Sequence, residues 1–116
     1  MTENEIDRAV FDSLRDSVGD DFIGELVDTF GEEAPSMINN MRQAFSTHDA
    51  ETFRREAHSM KTNAATFGAN SLADLARSLE QLARENQLEL VGDHLDLFES
   101  LYQKAYKALE RLVNGK

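Results

Sequence analysis

The sequence predicts an all-α protein: an antiparallel, up-down four-helix bundle with a short N-terminal helix that covers one end. Two observations indicate this fold. Only one proline and six glycines occur in 116 residues, so helix-forming residues dominate the chain. Apolar residues also recur at intervals of three and four along four long segments joined by short connections, which is the pattern of amphipathic helices that pack side by side.

The first, short helix is predicted over residues 3–16, where Ile6, Val10 and Leu14 recur at intervals of four. A turn around Gly19 ends this segment. We expect the short helix to cover one end of the bundle because its single apolar stripe is too short to line the whole core.

The second helix is predicted over residues 20–45. Asp20 and Asp21 suit its first turn, because acidic side chains are favourable near the positive end of a helix dipole. Pro35 lies inside the segment and is expected to bend or split the helix, since proline lacks an N–H group and clashes with the preceding turn.

A third helix is predicted over residues 49–67. The run from Ser46 to Asp49 offers several N-cap candidates. Gly68 suits the left-handed position that follows a helix end, so its predicted role is structural.

The last two helices are predicted over residues 71–86 and 91–113. Asn70 or Ser71 can cap the first of them, in which leucines repeat at intervals of three and four. No linker or repeat divides the sequence, so we expect a single domain over residues 1–116.

Composition excludes several functional classes. The chain has no cysteine, which rules out disulfides and thiolate-bound metals. A formal net charge of −10 argues against a nucleic-acid binder. No secretion signal is evident, and no apolar run approaches the roughly 20 residues that span a bilayer. We therefore expect a cytoplasmic protein without a membrane partner.

One stretch departs from this acidic character. Residues 54–84 contain five basic and three acidic residues, whereas the rest of the chain contains seven basic and nineteen acidic ones. Charge alone favours ordinary solvated helix faces as the explanation. The stretch is of interest because it contains His58.

On a helical wheel the third helix has an apolar and a polar face, and His58 lies near the centre of the polar one. A histidine buried in the core is therefore disfavoured. Arg54 and Lys61 lie one turn before and after His58, where their charges can hold a phosphoryl group. Thr62 and Ala65 are small enough for another protein to approach the imidazole, which is a nucleophile in its neutral form.

The run from Ala57 to Ala69, AHSMKTNAATFGA, with the leucine-rich segment after it, resembles the signature of histidine-containing phosphotransfer (HPt) domains. That signature fixes a histidine, a lysine three residues later and a glycine ten residues later. The resemblance covers about residues 20–110.

The resemblance implies that His58 accepts a phosphoryl group at Nε2 from the aspartyl phosphate of one receiver domain and passes it to the aspartate of another. Lys61 matches the lysine that neutralises the phosphate charge. Glu80 stands where members often carry Gln or Glu, and it is expected to orient the ring through Nδ1. Arg84 matches a position that is basic in some members, and Gly68 would end the helix.

Thr62 departs from the family pattern, which usually has glycine at this position, and Asn63 stands where a small residue is usual. The Thr62 methyl group is able to crowd a docking receiver, and its hydroxyl is able to donate to a phosphoryl oxygen. The sequence leaves both alternatives open.

The resemblance further implies a free-standing phosphoryl carrier of a bacterial two-component phosphorelay, rather than an enzyme. The implied partners are receiver domains of hybrid sensor kinases and of response regulators. Because the receiver supplies the aspartate and Mg²⁺, we expect no cofactor, nucleotide or metal site. The resemblance also implies a monomer. Docking is predicted on an apolar ring that borders His58 and includes Val10, Leu14, Phe22 and Ala65.

Three other functions make different demands on the sequence. A histidine kinase needs a nucleotide site, for which the chain is too short and lacks a Gly-rich loop. A carboxylate-bridged di-metal bundle needs Glu three residues before His, and none of His48, His58 and His94 has it. A helical adaptor or inhibitor that binds a signalling partner without carrying phosphate remains as the alternative.

Overall fold

The computed structural model describes residues 5–114, and in that range it contains helices and no strand. The elements are α1 (Arg8–Val18), α2 (Asp20–Ser46), α3 (Ala50–Phe67), α4 (Asn70–Arg84), a short 3₁₀ turn (Leu88–Leu90) and α5 (His94–Val113).

The four long helices form the predicted up-down bundle. Helix α2 packs on α3 and α5, and α4 packs on the same two helices from the opposite side. Short connections make successive helices antiparallel, and α1 lies against α2 and α3 at one end. The all-α, four-helix prediction is confirmed, including the short helix that covers one end.

Each long helix buries one apolar stripe, and aromatic rings link the stripes. The ring of Phe30 in α2 lies 5.2 Å from that of Phe67 in α3 and 5.5 Å from that of Tyr102 in α5, the latter edge to face. Such pairs add specific geometry to the burial of apolar area, which is the main stabilising term of the bundle.

Three of the connections close with the same hydrogen-bonded motif. After α2, α3 and α4 the chain turns through a residue of positive φ: His48 at 57°, Gly68 at 84° and Asn86 at 60°. The amide of the following residue then bonds the carbonyl five residues back, as in Asp49 N to Ala44 O at 2.8 Å. Gly68 was predicted in this role, whereas His48 and Asn86 were not.

The predicted start of the first helix is wrong. Helix α1 covers Arg8–Val18 rather than residues 3–16, and residues 3 and 4 lie outside the described part of the chain. The helix starts late because the Asp7 carboxylate accepts hydrogen bonds from the amides of Ala9 and Val10. Ile6 is buried in the core, but it lies before the helix.

Pro35 was expected to bend or split the helix, and the split is wrong, since α2 is continuous from Asp20 to Ser46. Pro35 is exposed, and its ring therefore displaces no core residue. The loss of one helical hydrogen bond is offset by the buried stripe that runs along both halves of α2.

The last two helices are shorter than predicted. Helix α4 covers Asn70–Arg84 rather than residues 71–86, and α5 begins at His94 rather than at residue 91. The intervening residues form the 3₁₀ turn, after which Val91 is buried and Gly92 adopts a positive φ of 46°. None of the helices in residues 5–114 is long and apolar enough to cross a bilayer.

Candidate functional site

Helix α3 presents His58 on its exposed side. The helix begins at Ala50, where the Asp49 carboxylate accepts a hydrogen bond from the amide of Thr52 at 3.1 Å, and it ends before the left-handed Gly68. Its core stripe is almost fully buried, as the helical wheel predicted: Phe53, Ala57, Met60, Ala64 and Phe67. The side chain of His58, on the opposite face, is 54% exposed.

Helix α4 brings Glu80 to His58. Glu80 lies within the buried stripe of α4, between Leu79 and Ala83, and it is only 3% exposed. It is the single charged residue that is buried among residues 5–114. A carboxylate in this position is costly unless it is paired and hydrogen-bonded.

Three side chains satisfy the Glu80 carboxylate. Oε2 lies 3.0 Å from Nδ1 of His58 and 2.8 Å from an Arg84 guanidinium nitrogen. Oε1 lies 2.9 Å from Nζ of Lys61. The structure therefore brings His58, Lys61, Glu80 and Arg84 into one cluster, which we call the Glu80 cluster.

The charge of Glu80 follows from these contacts. Burial alone raises the pKa of Glu80, but hydrogen bonds from Lys61, His58 and Arg84 outweigh it and bring the pKa below the ordinary glutamate value. Glu80 is therefore ionised at neutral pH and can only accept hydrogen bonds. It follows that Nδ1 of His58 carries the proton and donates it.

This fixed tautomer determines which ring nitrogen is available. With the proton on Nδ1, the lone pair of a neutral imidazole lies on Nε2. Within residues 5–114, Nε2 makes no hydrogen bond. The arrangement thus holds the ring through one nitrogen and leaves the other, nucleophilic nitrogen unoccupied on an exposed side chain.

Two further residues predicted next to His58 lie outside the Glu80 cluster. Arg54 forms a bidentate ion pair with Glu51, in which Nε lies 3.2 Å from Oε1 and Nη2 lies 2.7 Å from Oε2. Thr62 is exposed one turn after His58. Sequence reasoning missed Glu51, although its spacing of three from Arg54 on a helix is a recognisable signal for an ion pair.

Gly68 does more than end α3. Its carbonyl accepts a hydrogen bond from the amide of Asp7 at 2.8 Å, and a Cβ atom at this position would meet Asp7 O at 2.8 Å and Val10 Cβ at 3.1 Å. The start of α1 therefore rests directly on the end of α3. Asp7 was not singled out from the sequence, although an aspartate before a helical stripe is a common N-cap signal.

The predicted docking residues differ in accessibility. Val10 and Leu14 are half-buried on α1, with Leu14 packed against the core. Phe22 is 47% exposed near the start of α2, and Ala65 is exposed two turns after His58 on α3. Helix α1 contacts both α2 and α3, so all four residues lie toward the end of the bundle that α1 covers, which is also the end at which α3 terminates.

No group of three or more metal-ligating side chains occurs in the part of the chain that the structure describes.

Comparison with known proteins gives a consistent result. A sequence profile of the Hpt domain matches residues 25–113. The phosphorelay protein LuxU of Vibrio harveyi is 26% identical over 92 residues, which cover 79% of this chain and 81% of that protein. The protein of the same name from Vibrio vulnificus (strain YJ016) is 26% identical over 104 residues, covering 89% and 90%.

Among solved structures, histidine-containing phosphotransfer protein B (HptB) from Pseudomonas aeruginosa PAO1 has the same fold. The TM-score is 0.90 and the match covers 99% of each chain, at 23% sequence identity.

Proposed function

Because the chain belongs to the Hpt domain family and is a phosphorelay intermediate, we propose that His58 is the residue on which it carries the phosphoryl group. One observation carries this proposal: Nδ1 of His58 is bound by the buried Glu80 carboxylate at 3.0 Å, which leaves Nε2 as the exposed nucleophile.

The transfer step follows from this geometry. The Nε2 lone pair attacks the phosphorus of an aspartyl phosphate on a receiver domain. An N–P bond forms as the P–O bond to the aspartate breaks, and the carboxylate leaves with that electron pair. The ring keeps its Nδ1 proton and gains a positive charge next to Glu80. Transfer to the aspartate of a second receiver breaks the N–P bond and restores the neutral imidazole.

Lys61 and Arg84 are proposed to accompany the phosphoryl group. Both cations contact Glu80 at 2.8–2.9 Å, and Glu80 contacts Nδ1 of His58 at 3.0 Å, so both lie close to the imidazole. The phosphoryl group brings about two negative charges close to them, and its oxygens are strong acceptors for charged donors. Glu80 acts as a positioning residue, because it holds the ring and both cations while the phosphoryl group occupies Nε2.

Receiver domains are the partners that the relatives imply, and we propose that they belong to hybrid sensor kinases and to response regulators. Receivers are proposed to supply the acceptor aspartate and Mg²⁺, so the carrier needs no cofactor of its own. We further propose a cytoplasmic monomer in which residues 1–116 form one Hpt domain, including α1, which precedes the profile match.

The proposal is tested by phosphoryl transfer from a ³²P-labelled receiver. We expect wild type to acquire label that is acid-labile and alkali-stable, as phosphohistidine is, and we expect His58→Gln to acquire none. His48→Asn and His94→Gln are matched controls, because these two histidines are also exposed. Asparagine additionally tolerates the left-handed backbone at position 48.

If no receiver from the source organism labels wild type while one binds it, the helical adaptor becomes the better description. If His58→Gln is labelled as well as wild type, the site assignment is wrong.

A further inference from the structure

Three of the cationic side chains around His58 are already engaged by carboxylates. Lys61 and Arg84 bind Glu80, and Arg54 binds Glu51 through two nitrogens. A phosphoryl group on Nε2 must compete with these carboxylates for its charged donors. A donor that is not engaged elsewhere has no such competition.

Thr62 is such a donor. Within residues 5–114 its hydroxyl makes no hydrogen bond, whereas the side chains of Asn63 and Thr66 on the same helix do. Asn63 donates to the carbonyl of Ser59 and Thr66 donates to that of Thr62, each at 2.9 Å and four residues back. The equivalent acceptor for Thr62 would be the carbonyl of His58, and that bond is absent.

Helix geometry places the Thr62 hydroxyl beside the histidine. Side chains lean toward the helix N-terminus and cover the turn before their own Cα atoms, so residue 62 covers the turn that contains His58. Cβ atoms four residues apart are about 5–6 Å from each other. Lys61 reaches Glu80 on α4, and at 3.6 residues per turn Thr62 therefore lies on the other flank of His58.

Arg55 shares that flank but lies three residues before the histidine, toward the start of α3. There it lies within electrostatic reach of Asp49 and Glu51.

We propose that the hydroxyl of Thr62 binds the phosphoryl group on His58, donating a hydrogen bond to one of its oxygens from the flank opposite Lys61. The inference rests on the proposed function of His58 and adds a phosphoryl-binding residue to that site. It assigns a role to the one side chain at which this chain departs from the usual glycine.

A titration of phosphorylated protein tests the role without a receiver. Potassium phosphoramidate phosphorylates exposed imidazoles, and ³¹P NMR follows the protonation of the phosphoryl group. A His58→Gln sample identifies the His58 resonance by its disappearance. A hydrogen bond to the phosphoryl oxygens favours the dianion and lowers the pH at which it takes up a proton.

Thr62→Val and Thr62→Ser are the informative variants. Valine keeps the shape and the β-branch but removes the hydroxyl, and serine keeps the hydroxyl. We expect Thr62→Val to raise the ³¹P titration midpoint by about half a pH unit, a roughly threefold change in proton affinity. Thr62→Ser should titrate as wild type does. Circular dichroism confirms that each variant remains folded.

The outcomes separate this inference from the proposed function. If His58 is phosphorylated and the midpoint is the same in wild type and Thr62→Val, the role of Thr62 is wrong and the role of His58 stands. If phosphoramidate does not phosphorylate His58 in wild type, Nε2 is inaccessible and both proposals fail.

Discussion

At the scale of single residues, the site depends on one buried carboxylate. Glu80 has three donors around it, and they belong to two helices: His58 and Lys61 on α3, and Arg84 on α4. The donors are partly exposed, so water screens them, whereas Glu80 is not exposed. Removing the negative charge of Glu80 therefore affects the orientation of His58 and the position of both cations together.

Glu80→Gln is expected to destabilise the fold in a pH-dependent manner. The folded state lowers the pKa of Glu80, so its charge contributes stability above the ordinary glutamate pKa, and that contribution is lost as the pH falls through the lowered value. We expect a cost of about 1–2 kcal/mol at pH 7. Urea denaturation at pH 7 and pH 3 measures it.

The matched control is Glu33→Gln, which changes an exposed glutamate that forms no ion pair within residues 5–114. We expect little effect of this change at either pH. A cost for Glu80→Gln that is equal at pH 7 and pH 3 would contradict the charged state assigned to Glu80.

The part of this site that lies on α3 can be predicted from the sequence. The exposure of His58 and the position of Lys61 follow from helical periodicity, which relates residues three or four apart. The contact of Glu80 with His58 joins residues 22 positions apart and depends on how α3 packs against α4. The family resemblance suggested that contact, whereas periodicity gives no means of predicting it.

At the scale of helices, the connections hold the bundle in register. Gly68 ends α3 with a positive φ. Its carbonyl accepts a hydrogen bond from the Asp7 amide, and the absence of a Cβ atom leaves room for the Asp7 carbonyl. The docking of α1 on α3 thus depends on a position that has no Cβ. Because α3 also carries His58, the same helix links the predicted docking surface to the proposed phosphoryl site.

Gly68→Ala is expected to lower the free energy of unfolding by about 2–4 kcal/mol, because backbone strain adds to a clash. The added Cβ would lie 2.8 Å from Asp7 O. Urea denaturation measures the loss, and hydrogen exchange should show that α1 loses protection first.

Gly92→Ala separates strain from the clash. Gly92 also has a positive φ, but nothing lies within 4 Å of the added Cβ. We expect this variant to cost only about 1 kcal/mol. Equal losses in the two variants would show that the contact between Gly68 and α1 contributes nothing.

The helix limits show what sequence periodicity can predict. Helix α3 was predicted to within one residue because Asp49 and Gly68 are strong local signals at its ends. Helix α5 begins three residues later than predicted, since the apolar pattern continues through Val91 although the backbone there forms a turn. Val91 is buried because it packs into the core, although it does not belong to a helix.

At the scale of the whole molecule, the described part of the bundle exposes large apolar side chains at opposite ends, Phe22 at one end and Leu90 and Leu97 at the other. Phe22, 47% exposed, lies near the end that α1 covers, and Leu97, 50% exposed, lies near the 3₁₀ turn before α5. Only Phe22 belongs to the predicted docking ring. The two side chains are similarly exposed, so they provide a matched comparison.

Phe22→Ser is expected to weaken binding of a receiver about tenfold, since aromatic residues at an interface often contribute more than 1 kcal/mol. Leu97→Ser should leave the affinity unchanged. Isothermal titration calorimetry with one receiver measures both. If the two variants bind alike, Phe22 is not part of the docking surface.

Val10→Asp tests a second residue of the predicted docking surface. Val10 is half-buried next to Gly68, so a charge there should reduce stability, receiver affinity or both. Denaturation and calorimetry on the same sample distinguish the two effects. Unchanged stability together with unchanged affinity would remove Val10 from the docking surface.

The claim that connects these scales is that the phosphoryl group is carried on Nε2 of His58 while Glu80 holds Nδ1. Imidazole ¹H–¹⁵N NMR of ¹⁵N-labelled protein, phosphorylated by a receiver, tests it most directly. We predict a phosphorus-coupled Nε2 and a protonated Nδ1 in His58, with His48 and His94 unchanged. Phosphorus on Nδ1 of His58, or on either of the other two histidines, would contradict the account.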